Sequence, residues 1–118
     1  MGTSVKLRFD CVFYYVANID AAIPFYRDVL ELDLVSRDVV ARFDIDGVRF
    51  ELVPDQRPEP RRSDGGGHLC LGVPDMEEAQ GWLRRKGVEL GTPQTVEGGL
   101  LATFHDPDGN EIYLWQAE

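Results

Sequence analysis

The stretch DIDGVRFEL, Asp44 to Leu52, returns 62 residues later as DPDGNEIYL, Asp106 to Leu114. Each joins an Asp-Gly turn to a run of alternating apolar and polar residues, the pattern of a hairpin and its second strand. The helix starts repeat as well. Val16-Ala17-Asn18-Ile19-Asp20 ends an apolar run and opens a helix, with Asn18 or Asp20 as N-cap, and Val73-Pro74-Asp75-Met76 does the same 57 residues on. Two offsets this close mean that the chain is built from one unit used twice.

Ile19, Ile23, Tyr26 and Leu30 fall at helical spacing and predict one buried stripe; Met76, Ala79 and Leu83 predict the second. Pro24 is expected in a first turn, where a missing N–H does no harm, and Gly87 is a C-cap candidate after Arg84, Arg85 and Lys86. In the first unit, strands are expected near Asp10–Val16, Leu34–Arg37, Val39–Asp44 and Val48–Val53. In the second they fall near His68–Val73, Val88–Leu90, Leu100–His105 and Glu111–Gln116. The proline, glycine and charge-rich stretch Pro54 to Gly67 reads as a linker. A helix and four strands alone bury little, so residues 1–118 form a single domain. Its parts are module one, about 8–54, a linker, about 54–66, and module two, about 67–117.

A chain of 118 residues, 43% hydrophobic and 28% charged, can bury a core without disulfide staples, and Cys11 and Cys70 are expected as reduced thiols. No run of about 18 apolar residues exists to span a membrane. The opening residues are too polar for a secretory signal, which makes the cytoplasm the expected location. A net charge of −9 repels nucleic acid and anionic lipid and attracts small cations.

Strand residues alternate faces, so parity sorts the side chains. Val12, Tyr14, Val16, Val48, Phe50, Leu52, Leu69, Leu71, Val73, Ile112 and Leu114 are assigned to the helix-covered core. The opposite face collects Cys11, Phe13, Tyr15, Arg49, Glu51, His68, Cys70, Glu111, Tyr113 and Trp115. Aromatic rings among a few ionisable groups are the make-up of a small-molecule cleft, and equally of an interface between modules or subunits.

VANIDAAIPFYRDVLEL (Val16 to Leu32), GGHLCLGVPDMEEA (Gly66 to Ala79) and FHDPDGNEIYLW (Phe104 to Trp115) together resemble the vicinal oxygen chelate superfamily, the glyoxalase / bleomycin-resistance / dioxygenase group. The resemblance implies an α+β fold of two βαβββ modules forming a cupped mixed sheet with helices outside, and a homodimer. It also implies a divalent-metal site in the family's enzymes, with ligands at positions that map to Cys11, Glu51, His68 and Tyr113. Only Glu51 and His68 are of the usual ligand type. Cys11 stands where a histidine is expected and Tyr113 where a glutamate is. Glu31 replaces the glycine that normally ends the first helix. Glu111 and His105 are set aside as substitute ligands on parity and position.

Two protein ligands fall short of the three or more that a catalytic metal site generally needs. A Cys11–His68 nucleophile pair lacks an identifiable third member or oxyanion donor. The favoured reading is a metal-free, cofactor-free binder of a small organic molecule, contacted by Cys11, Phe13, Tyr15, Arg49, Glu51, His68, Glu111, Tyr113 and Trp115. The alternative is a divalent-metal lyase, isomerase or ring-cleaving dioxygenase with the metal held by Glu51, His68 and waters.

Overall fold

The first unit starts with β1, Val12–Val16, whose buried Tyr14 and Val16 alternate with exposed Phe13 and Tyr15. The computed structural model describes residue 6 and residues 9–55 and 68–118; the linker lies outside the described residues apart from Pro54 and Asp55. Asn18 caps α1, Ile19–Pro24, by accepting the Ala21 N–H at 3.0 Å, whereas Asp20 pairs with Arg37 at 2.8 Å. Pro24 is the last residue of α1 rather than a first-turn residue. It offers no N–H to the Asp20 carbonyl, and from Phe25 to Val29 the helix widens into a π-turn, where the Leu30 N–H donates to the Phe25 carbonyl. The helix then exits through Glu31 in the left-handed region, φ 57°, where a glycine was missing in the sequence.

Strands β2 (Asp33–Arg37), β3 (Ala41–Ile45) and β4 (Val48–Pro54) complete module one. Asp46 and Gly47, both at positive φ, make the two-residue turn between β3 and β4. Module two repeats the order: β5 (Leu69–Gly72), α2 (Met76–Arg85), β6 (Gln94–Val96), β7 (Gly99–His105) and β8 (Glu111–Ala117). Asp75 caps α2 through the Glu78 N–H at 3.0 Å. The fold is α+β, with sheets of order β1-β4-β3-β2 and β5-β8-β7-β6; in each the first strand runs parallel to the last and the remaining pairs are antiparallel. No described helix is long and apolar enough to cross a membrane.

One strand is misplaced by the sequence reading. Val88 belongs to the exit of α2, where its N–H bonds the Leu83 carbonyl and its side chain is buried. The strand there is β6, six residues later, short and largely exposed, joined to β7 by the Glu97–Gly98 turn.

The core holds both helix stripes: Ile19, Ile23, Tyr26 and Leu30 from α1 and its π-turn, Met76 and Leu83 from α2. They pack on Tyr14, Phe43, Phe50, Leu52, Phe104, Ile112 and Leu114. The Tyr26 ring lies 5.2 Å from that of Phe50 while its hydroxyl donates to Asp106 Oδ2 at 2.6 Å, so one residue ties the core of one module to the turn of the other. Tyr14 does likewise, donating to the Glu111 carbonyl at 2.7 Å and accepting the Leu69 N–H at 2.5 Å. These contacts join the two modules across the chain.

Candidate functional site

In module one, the parallel register sets Phe13 beside Glu51 and Tyr15 beside Val53. The Phe13 and Tyr15 rings meet edge to face at 5.3 Å and both remain exposed, at 45% and 37%. Cys11 lies just before β1, half-buried. Loss of water, then the negative fields of Glu51 and Asp10, push its thiol above the ordinary range, which disfavours the thiolate needed for a nucleophile or a ligand. Arg49 is exposed and stands across from Asp44 on β3. The cation at Glu51 is a different one. Arg42 sits opposite Glu51, its Nε 3.5 Å from the carboxylate, and it also reaches Asp38 at 2.8 Å. Arg42 was missed in the sequence, although the two-residue turn at Asp46–Gly47 fixes a register that places it there.

In module two, His68 just ahead of β5 meets Tyr113 edge to face, 5.1 Å between centroids. The Nδ1 atom of His68 is buried and has no hydrogen-bond partner. A hydrogen bond to the Glu111 carboxylate pushes the Tyr113 phenol above its ordinary range. The register also sets His105 opposite Glu111, so parity does not separate these two from Tyr113 as the sequence reading held. What engages Glu111 is the Tyr113 hydroxyl. Cys70 is exposed beside Tyr113, and desolvation pushes its thiol up as well. Trp115 lies over the Gly98 turn, where a Cβ on the glycine would touch the indole at 3.7 Å.

The sequence-selected side chains thus form two aromatic pairs, one in each module, flanked by the Arg42–Glu51 pair. Among the described residues no ring contact joins Phe13 and Tyr15 to His68 and Tyr113, and Trp115, two residues along β8 from Tyr113, makes no ring contact with either pair. The four family ligand positions do not suit a metal ion as they stand. Glu51 has Arg42 at 3.5 Å, the Tyr113 phenol engages Glu111, and the Cys11 thiol is pushed above its ordinary range, against the thiolate. Among the described residues no three His, Cys, Asp or Glu side chains group to hold one.

Residues 8–114 match the Glyoxalase/Bleomycin resistance protein/Dioxygenase superfamily. The chain belongs to that superfamily. A relative, a 2-epi-5-epi-valiolone epimerase from Actinomyces sp, is 30% identical over 87% of this chain and 75% of its own. The metallothiol transferase FosB of Staphylococcus haemolyticus is 28% identical over 87% of this chain and 78% of its own. TnmS3, an antibiotic binding protein from a Streptomyces species, superposes with a TM-score of 0.73 at 28% identity, covering 97% of this chain and all of the other. Enzymes and binders thus share this fold at similar distance, and the choice rests on the side chains.

Proposed function

We propose that this glyoxalase-superfamily protein binds an apolar or aromatic organic compound, an antibiotic or secondary metabolite, and sequesters it without a metal. The acting form is a cytoplasmic homodimer. The observation that carries this reading is the exposed Phe13–Tyr15 pair, with the Arg42–Glu51 ion pair beside it. Exposed rings fixed edge to face leave their faces for a flat guest, worth about 0.5–1.5 kcal/mol per good ring contact beyond area burial. Tyr113 and His68 offer a second ring surface, and Arg49 a donor for a carbonyl or anionic group. The likeness to an antibiotic-binding protein supports the same reading.

A cognate aromatic compound quenches the intrinsic fluorescence; the quenching is lost in Trp115→Leu and kept in Trp82→Phe. Equal loss in both variants would reject the assignment of the face. Light scattering is expected to give a dimer at micromolar concentration.

A second reading, a divalent-metal enzyme of the same superfamily, is favoured by one observation, the unpartnered Nδ1 of His68. It requires Arg42 to release Glu51. Elemental analysis of protein purified without chelator decides between them: stoichiometric metal, lost in Glu51→Ala and His68→Ala, would establish the enzyme.

A further inference from the structure

Several side chains that parity assigns to the core are not covered. Val48 shares a face with Phe50 and Leu52, both fully buried, yet is 44% exposed. Val12, Leu69 and Leu71 are only half-buried. Together with Phe50 and Trp82 they line a cavity of about 560 Å³ between the modules. Its volume falls in the range of small-molecule sites, about 300–1,000 Å³.

No carboxylate of β2, β3 or β4 faces this space. Asp33 pairs with Asp44 and Asp44 with Arg49, so the register sends these side chains to the face that carries Arg42 and Glu51. Leu34, Phe43 and Phe50, the next residues in that register, turn the other way. At the α1 exit, which borders the cavity, Glu31 accepts from Lys86 Nζ at 2.6 Å. The same ammonium donates to the Val29 carbonyl at 2.8 Å and lies 4.2 Å from the centroid of the Trp82 ring. Lys86 thus ties the α1 exit to the indole, two parts of the cavity wall, and holds the space open.

The shape of the apolar surface says what fits there. Among the described residues the large apolar side chains left exposed are Phe9, Phe13, Tyr15, Val35, Val39 and Val48, and only Val48 borders the cavity. A second copy of the chain needs about 800 Å² of surface on each partner. Here the apolar surface is turned inward, which suits a small guest.

We propose that this cavity binds an uncharged, largely hydrocarbon ring compound, seated against Leu71 and Trp82. The site lies on the opposite side of β1 and β4 from Phe13 and Glu51, so it is additional to the ring face of the proposed function. A cation would lose its hydration with no carboxylate from these strands to replace it. An anion meets a net charge of −9 and a lysine already engaged by Glu31.

The test uses the full chain carrying Trp115→Phe, which leaves Trp82 as the sole indole. The probes are the neutral fluorophore N-phenylnaphthylamine and its anionic counterpart, anilinonaphthalene sulfonate. The neutral probe is expected to bind saturably with energy transfer from Trp82, and the sulfonate at least about tenfold more weakly. Leu71→Phe, which fills the cavity, and Val48→Asp, which places a charge at its mouth, each weaken the neutral probe by about tenfold. Val39→Asp, the same charge placed on an exposed valine outside the cavity, leaves it unaltered. Absence of saturable binding overturns the proposal, as does equal weakening by Val48→Asp and Val39→Asp, or equal binding of the two probes. Binding lost in Phe13→Ala with Tyr15→Ala but kept in Leu71→Phe and Val48→Asp places the probe on the ring face; it rejects the cavity and leaves the proposed function standing. Probe release that follows dimer formation as protein concentration rises identifies the occupant as a second copy and likewise rejects the proposal.

Discussion

Asp106 is a turn residue by sequence and a structural anchor by position. Its carboxylate is buried and takes the N–H groups of Asp108 and Asn110 at 2.9 and 2.8 Å, the Asn110 amide at 2.9 Å and the Tyr26 hydroxyl at 2.6 Å. Four donors satisfy one charge, and each donor would be orphaned by its removal. Asp106→Ala is therefore expected to cost about 3–5 kcal/mol, the range for breaking a buried charged network. Tyr26→Phe removes a single charge-assisted bond and leaves the other three, so its expected cost is about 1.5–3 kcal/mol. Urea unfolding with unchanged m-values measures both. Losses below about 1 kcal/mol in both variants would mean that water already solvates the carboxylate. The turn itself was legible, because Asp-Pro-Asp-Gly-Asn has few other readings. The Tyr26 partner was not, since 80 residues of chain separate them and no local pattern encodes the contact.

The two Asp-Gly turns carried most of the fold's legibility, while glycines elsewhere in the strands are needed for different physical reasons. Gly47 sits at φ 83° with nothing within 4 Å of a would-be Cβ, so its requirement is purely conformational. Gly99 has an ordinary φ, but a Cβ there would collide with the Gln116 carbonyl on the neighbouring strand. Gly47→Ala is expected to cost about 1 kcal/mol, and Gly99→Ala about 3 kcal/mol, through overpacking against backbone that cannot yield. Thermal unfolding of the pair checks the ranking, and a Gly47→Ala cost equal to that of Gly99→Ala would reject the steric account. Strand parity separates the buried residues from the rest in β8 and for Tyr14 and Val16 of β1 and Phe50 and Leu52 of β4, while Val48, assigned to the core, stays exposed. It failed for β6, where the apolar signal at Val88 serves the helix exit and the true strand is a short, polar edge. Parity also kept the rings of Phe13, Tyr15 and Tyr113 off the core, and none of the three is buried. It did not find Arg42, because a cross-strand partner is visible only once the turn's register is applied.

The whole molecule is held together across its repeat by contacts that neither module can make alone. Tyr14 reaches Leu69 and Glu111, the Asn110 amide donates to the Tyr15 carbonyl at 3.0 Å, and Asp108 accepts the Ala17 N–H at 2.9 Å. The Tyr15 carbonyl on the outer edge of β1 is thus bonded by the turn of module two, and that turn by Tyr26 of module one. Each half supplies the polar partners that the other buries, so opening one exposes unsatisfied groups in both. Unfolding is accordingly expected as one transition, with calorimetric and van't Hoff enthalpies equal. The sharper consequence concerns Tyr14→Phe. This change keeps the ring against Phe50, 5.7 Å away, and deletes only the hydroxyl that joins the modules. If the modules were independent, amide exchange would quicken around Leu69 and Glu111 alone. Because they are coupled, protection is expected to fall together in β4 and β8, by about the factor of 10 that 1.4 kcal/mol gives. Exchange that quickens in the second sheet while the first keeps its protection would show two folding units joined by packing rather than one.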